Sequence, residues 1–265
     1  MAGVSRLFWA ALLLWLLILI ATPIGLWISG EGAFPLLASL GVLAQASATL
    51  LALRKAKPWN WIVRMMVAVA LFAWGVEWLG STTGFPFGSY VYSGRLQPQL
   101  LGVPLIIPLA WWMMLVPAWG MSEMILGRRR QPLLFAALAA VVFTAWDLYL
   151  DPQMVAHSLW LWQTPGEYFG IPWVNYAGWW LAAFLLTLLL RPNNLPQQPL
   201  RLIYTLTWAF QAVGLGIFWG QPGPALAGCL GMGVFVAAAF YPQLARIRLP
   251  KSIRQSQSAP SASRQ

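Results

Sequence analysis

From Leu7 to Ile28 the chain reads LFWAALLLWLLILIATPIGLWI, without one charged residue. About 20 consecutive apolar residues are what an α-helix needs to cross the hydrocarbon core of a bilayer, where only helices and closed barrels satisfy their own backbone. Comparable runs recur along the chain, at about 7–28, 34–53, 62–79, 101–125, 132–150, 173–190, 202–219 and 224–244. They predict an all-α polytopic membrane helix bundle with eight transmembrane helices. Only 8% of the residues are charged, against about 25% in soluble domains. The net charge of +10 therefore asks which loops hold the basic residues before it suggests an acidic partner.

With the N-terminus on the inner side, that side receives Arg6, then Arg54, Lys55, Lys57 and Arg64, then Arg128–Arg130, then Arg191 and Arg201, then Arg246, Arg248, Lys251, Arg254 and Arg264. Arg95 alone falls outside. So strong an asymmetry supports both the span count and cytoplasmic N- and C-termini, because one missed helix would scramble it. The first run is too long for a signal-peptide core and has no clear small-residue cleavage site, so it reads as a retained helix. Pro104, Pro108 and Pro117 make the fourth run either kinked or begun inside the preceding loop. A membrane domain is expected over 1–250 and a Ser-rich, disordered cytoplasmic tail over 251–265. The single Cys229 excludes an intrachain disulfide framework and reads as a packed thiol.

The six acidic residues obey a different rule. Glu77 ends the third span, Asp147 and Asp151 end the fifth, Glu167 follows in the next loop, and all four fall on the outer side. Glu77 and Asp147 are expected at similar depth, a turn or less below the interface. Asp147 and Asp151, in AWDLYLDP, share one face of a helix that Pro152 is expected to stop. An ionised carboxylate at bilayer depth costs about 2.5–3.5 kcal/mol on insertion scales, so one of these groups must keep its proton or face a polar cavity. Glu77 and Asp147 read as reaction-centre acids or as hydrogen-bonding links between helices, and Asp151 as a helix-end residue or a catalytic one. Glu123 is expected to pair with Arg128–Arg130. Glu167, in TPGEYFGIPW, reads as a lid residue or a solvated one. His157 invites a metal, but its spacing matches no compact metal motif, so none is expected. Trp74, Trp78, Trp160, Trp162, Trp173, Trp179 and Trp180 suit an interfacial belt. Several of them flank the acids, where aromatic faces would stabilise a cation.

These patterns exclude several chemistries. DLYLD could hold a magnesium diphosphate, but the acidic side offers only Arg95 to neutralise it. A retinal-type photoreceptor needs a buried lysine, and Lys55, Lys57 and Lys251 all lie in loops or tail. Proton-coupled transport stays open, although no polar path continues inward. Carboxylic acids in an apolar, aromatic-lined cavity suit a hydrocarbon substrate and proton transfer to an alkene.

The segments EWLGSTTGFPFGSYVYS (77–93), LLGVPLIIPLAWWMM (100–114), AWDLYLDPQMV (145–155) and GIPWVNYAGWW (170–180) resemble the CruF-type membrane carotenoid 1′,2′-hydratases, the family related to bisanhydrobacterioruberin hydratase. The resemblance implies a hydro-lyase of a bacterial cytoplasmic membrane. Its reaction is hydration of the terminal C1′=C2′ bond of an acyclic ψ-end group, as in γ-carotene or lycopene, to a tertiary alcohol without a cofactor. The implied partners are a membrane-dissolved carotenoid, the lipid bilayer and other carotenoid enzymes such as a glycosyltransferase, with no nucleic acid. A cofactor-free cyclase or isomerase and a non-enzymatic pigment-binding protein stay open. Depth and spacing make Asp147 the proton donor, Glu77 the base or cation stabiliser, and Asp151 a carboxyl that titrates with the donor as a unit. Tyr90, Tyr92 and Asn175 are candidates for orienting water. Trp78, Trp146, His157 and Glu167 complete the candidate substrate- and water-binding set.

Overall fold

The computed structural model describes residues 5–248, with side chains through Tyr241. Among these residues are eight long helices: α1 (Arg6–Ser29), α2 (Phe34–Leu53), α3 (Trp59–Thr83), α4 (Ile106–Leu126), α5 (Pro132–Ala156), α6 (Trp173–Leu190), α7 (Gln197–Val213) and α8 (Pro222–Arg248). A π-helical turn, Gly214–Phe218, prolongs α7. All eight are long and apolar enough to cross a membrane. The domain limit expected at 250 and the tail 251–265 lie outside the described residues.

Local chemistry explains several helix ends. The Ser5 side chain accepts from Phe8 N at 3.2 Å and caps α1. Pro58 and Pro172 precede α3 and α6, and Pro132 opens α5 in the first turn, where its missing N–H costs nothing. Gly84, at φ 79°, ends α3 by donating back to Gly80 O.

α4 is the most enclosed helix, packed by α2, α3, α5, α7 and α8, and it buries Trp111, Trp112 and Trp119. It begins at Ile106, past Pro104, and runs through Pro117. That proline frees the carbonyl of Met113, which accepts from Thr49 Oγ1 at 3.3 Å and Gln45 Nε2 at 3.5 Å on α2. Pro152 behaves alike. The sequence predicts that it stops α5, but the helix continues to Ala156. The carbonyl it frees, on Leu148, accepts from the Tyr168 hydroxyl at 2.9 Å. A long-range donor removes the cost that local sequence assigns to the proline.

The loops gather into two groups. At the basic end, Glu123 accepts from Asn194 N and Leu195 N at 2.8 Å each, while Arg130 Nε stands 4.0 Å away. Its main partners are thus the backbone amides between α6 and α7 rather than the arginine cluster. At the other end, β1 (Tyr90–Tyr92) pairs antiparallel with β4 (Trp160–Trp162), joining the loops after α3 and α5. A small hairpin, β2 (Gln99–Leu100) and β3 (Val103–Pro104), leads into α4. Arg95 donates to the carbonyls of Glu31 and His157 there, so the basic residue outside the positive-inside pattern clasps two loops.

The loop between α3 and β1 is neither free nor peripheral. It drives Phe87 between α3 and α6, where a Cβ on Gly80 would lie 2.5 Å from the Phe87 ring and one on Gly178 2.5 Å from Pro86 O. Two glycines on facing helices make room for one aromatic plug.

Candidate active site

Three acids converge beneath the β1–β4 ribbon, and Glu77, Asp147 and Asp151 are all buried. Because α3 and α5 run past their expected ends, the acids lie deeper than a turn. At 1.5 Å per residue, Glu77 stands about 9 Å below the end of α3, Asp151 about 8 Å and Asp147 about 14 Å below the end of α5. Measured from its own helix end, Glu77 thus matches Asp151 more nearly than Asp147, and these two line one cavity.

Glu77 is held as an acceptor. Tyr90 and Tyr92 donate their hydroxyls to Oε2 at 2.6 and 2.7 Å, and Trp111 donates Nε1–H to Oε1 at 3.0 Å. Burial first, then the neighbouring Glu77 carboxylate, pushes both tyrosine hydroxyls well above the ordinary phenol range, so both remain donors. Three donors on one carboxyl group take the place of water around its oxygens. Among the described residues no basic side chain pairs with Glu77: Arg130 stands by Glu123, and His157 makes its hydrogen bond to Glu31.

The aspartates are arranged differently. Asn175 Nδ2 donates to Asp147 Oδ2 at 3.0 Å and also to Asp151 Oδ2, while Trp160 Nε1–H reaches Asp151 Oδ1 at 3.0 Å. Asp147 Oδ1 has no partner among the described residues. The one Asn175 amide nitrogen reaches Oδ2 of each aspartate and so draws the two carboxyls together. One amide thus organises an acid pair, and it comes from the first turn of α6, the helix that Pro172 starts.

Glu77 and Asp151 line a cavity of about 320 Å³ that runs along α1, α2 and α4 to the end of α7. Tyr90, Tyr92, Trp146 and Asn175 also line it, whereas Asp147 stands behind Asn175 and Asp151. Aromatic rings frame the acids: Trp111 stacks on Trp179 with centroids 4.9 Å apart, and Phe143 leans on both. Most of the remaining wall is aliphatic.

Other sequence-proposed residues sit apart. Trp78 stacks on Trp74 and is exposed, and Glu167 is exposed; neither lines the cavity. His157 binds Glu31 Oε2 through Nδ1 at 2.7 Å and stacks on Phe34, itself part of the cavity wall. Of the tryptophans grouped as a belt, Trp160, Trp162 and Trp179 are buried at the site, while Trp78 and Trp173 are exposed as a belt requires. Sequence reasoning gave no role to Trp111, Trp160 as a donor to Asp151, or Gln153. Gln153 is buried, lines the cavity and makes no side-chain hydrogen bond among the described residues. Trp111 had a signal: it lies about as far below the start of α4 as Glu77 lies below the end of α3, and adjacent antiparallel helices bring equal depths together.

Fold and site define a multi-pass membrane protein with two buried acids, Glu77 and Asp151, facing a hydrocarbon-lined cavity. The family model described as "Carotenoid biosynthesis protein" matches residues 35–236, a stretch that contains every residue of the acid site. The chain is also 32% identical over 202 residues to bisanhydrobacterioruberin hydratase of Haloarcula japonica, covering 71% of this chain and 68% of that protein. The chain belongs to the carotenoid biosynthesis protein family. No solved structure matches it.

Proposed function

We propose that the protein is a carotenoid hydratase that adds water across the terminal C1′=C2′ bond of an acyclic ψ-end group of the γ-carotene or lycopene type. The observation that carries this reading is one apolar cavity walled by both a donor-held carboxyl, Glu77, and an aspartate, Asp151, that Asn175 ties to Asp147. The hydratase named in Haloarcula japonica supports the same reaction class.

In this mechanism Asp151, not the deeper Asp147, presents the proton, because Asp151 lines the cavity. Its O–H bond breaks as a C–H bond forms at C2′, leaving a tertiary cation at C1′. Glu77 and the faces of Trp111 and Trp179 stabilise that cation. Water attacks C1′ and gives its proton to Glu77, whose transfer of that proton back to the aspartate pair resets the site. Asp147 and Asn175 hold Asp151 and share its proton. No cofactor enters this scheme, and the reaction sits in a bacterial cytoplasmic membrane with both chain ends on the cytoplasmic side.

Expression in cells that accumulate lycopene or γ-carotene tests the reading. A pigment heavier by one water is expected. A product of unchanged mass would replace hydration by cyclisation or isomerisation, and unaltered pigment that stays bound would replace catalysis by binding.

A further inference from the structure

The cavity is closed over the acids by Phe87 and the β1–β4 ribbon, but its flank is different. Ile20 on α1, Val213 at the end of α7 and Phe218 at the end of the π-helical turn all line the cavity. The same three side chains are 52%, 49% and 57% exposed on the outside of the bundle. A side chain that touches both a cavity and the outer surface marks an opening between them. Ile20, Val213 and Phe218 belong to membrane-spanning segments, so this opening faces lipid rather than water.

Two further features give the gap a use. α1 packs mainly on α2, so no tight helix seam closes the side toward α7. There α7 loosens into the π-helical turn, a device found frequently at functional sites, and a Cβ on Gly214 would lie 3.1 Å from the Trp219 indole nitrogen. The enclosed volume, about 320 Å³, is at the lower limit of pockets that engulf a drug-sized ligand, roughly 300–1,000 Å³. It can hold the end of a long hydrocarbon but not the whole molecule.

We propose that the gap between α1 and the Gly214–Phe218 turn is a lateral portal. A linear polyene lies through it with one isoprenoid end at Glu77 and Asp151 and the rest of its length in the bilayer. The inference rests on the acid cavity being the reaction site and names what it accepts: membrane-dissolved hydrocarbons longer than the cavity, selected by one end and tolerated whatever the other end carries. The apolar side chains of Ile20, Val213 and Phe218 suit a hydrocarbon stem and offer nothing to a polar one.

The test fills the portal from the outside. Ile20→Trp and Val213→Trp add bulk at its rim, and Leu17→Trp adds the same bulk at an exposed α1 position that does not line the cavity. Each protein is reconstituted in liposomes with two substrates carrying the same acyclic end, a full-length carotenoid and a short terpene alkene that fits inside. Portal variants should lower the ratio of long- to short-substrate conversion by about tenfold or more, the scale on which an overfilled apolar pocket discriminates, and Leu17→Trp should leave the ratio at the wild-type value. A ratio unchanged in Ile20→Trp and Val213→Trp, or lowered equally by Leu17→Trp, overturns the portal. Pigment retained on purification separates this from the hydration reading. If the wild type converts neither substrate, hydration fails by itself. The portal is then supported by pigment bound to the wild type and lost from Ile20→Trp, and overturned by equal pigment, or none, in both.

Discussion

In the proposed mechanism Glu77 meets the cation as a carboxylate, so replacing it with glutamine removes a charge from the reaction cavity while nearly preserving its shape. The Trp111 indole can only donate, so the new side-chain amide must turn its carbonyl toward Trp111 and its NH₂ toward Tyr90 and Tyr92. Those hydroxyls can rotate and accept, which keeps the hydrogen-bond set complete. The variant should therefore accumulate and unfold much as the wild type does. What it loses is Coulombic: a cation about 4 Å from a carboxylate gains ~4 kcal/mol at an effective dielectric of about 20. That energy corresponds to about a thousandfold in rate. The assay is the initial rate of alcohol formation from a ψ-end carotenoid in proteoliposomes, read by mass spectrometry, with intact protein matched by tryptophan fluorescence. A loss between about a hundredfold and ten-thousandfold fits a carboxylate facing the developing cation. If Glu77→Gln retains the wild-type rate to within about threefold, the charge at position 77 does not act on the reacting carbon and the mechanism is wrong.

Four other predictions follow from the geometry. Asp151→Asn should lose about 10²–10⁴ in rate, as removal of a general acid does, while Asp147→Asn should lose less because Asp147 stands behind the cavity wall; the same mass-spectrometric assay ranks them. Tyr168→Phe strands the Leu148 carbonyl that Pro152 frees, at a cost of about 1–3 kcal/mol, and should lower the thermal midpoint in detergent; an unchanged midpoint would mean another donor serves that carbonyl. Gly80→Val should expel Phe87, costing about 1–3 kcal/mol of overpacking, and should expose the 85–92 loop to protease. Burial, partly offset by the hydrogen bond to Glu31, holds His157 below the ordinary imidazole value. The stability this gives is complete above a pH of about 6.5 and is lost as pH falls toward the lowered folded value. The midpoint should drop on acidification below that pH, and His157→Gln should flatten the slope.

The spans were legible because bilayer thickness fixes their length, and basic residues collect in alternate loops for a reason that operates residue by residue. The same reading placed the acids at one end, which the β1–β4 ribbon joins. Depth was less legible. The Pro152 stop follows from local rules, but Tyr168 lies 20 residues from the carbonyl it serves, on another element, and cancels that stop. Which aspartate faces the cavity is set by packing: Asp151 lines it, and Asp147 does not. The donors on Glu77 divide along the same line. Tyr90 and Tyr92 were visible as neighbours in the following loop, whereas Trp111 is 34 residues distant and shows only when depths on α3 and α4 are compared. Asn175, singled out as a water-orienting candidate, binds the aspartates directly. Nothing in its spacing from them announces that. Trp78 and Trp160 illustrate the limit for aromatics: both read as belt residues, and only the fold turns one toward lipid and the other toward Asp151.

Hydration is tested most directly with the purified protein in liposomes, given a ψ-end carotenoid in heavy-oxygen water and, separately, in deuterium oxide. The expected product carries one heavy oxygen in a tertiary hydroxyl and, from the second solvent, one non-exchangeable deuterium on the adjacent carbon. A product of unchanged mass from heavy-oxygen water, or deuterium gained without oxygen, would contradict water addition at the Glu77–Asp151 cavity.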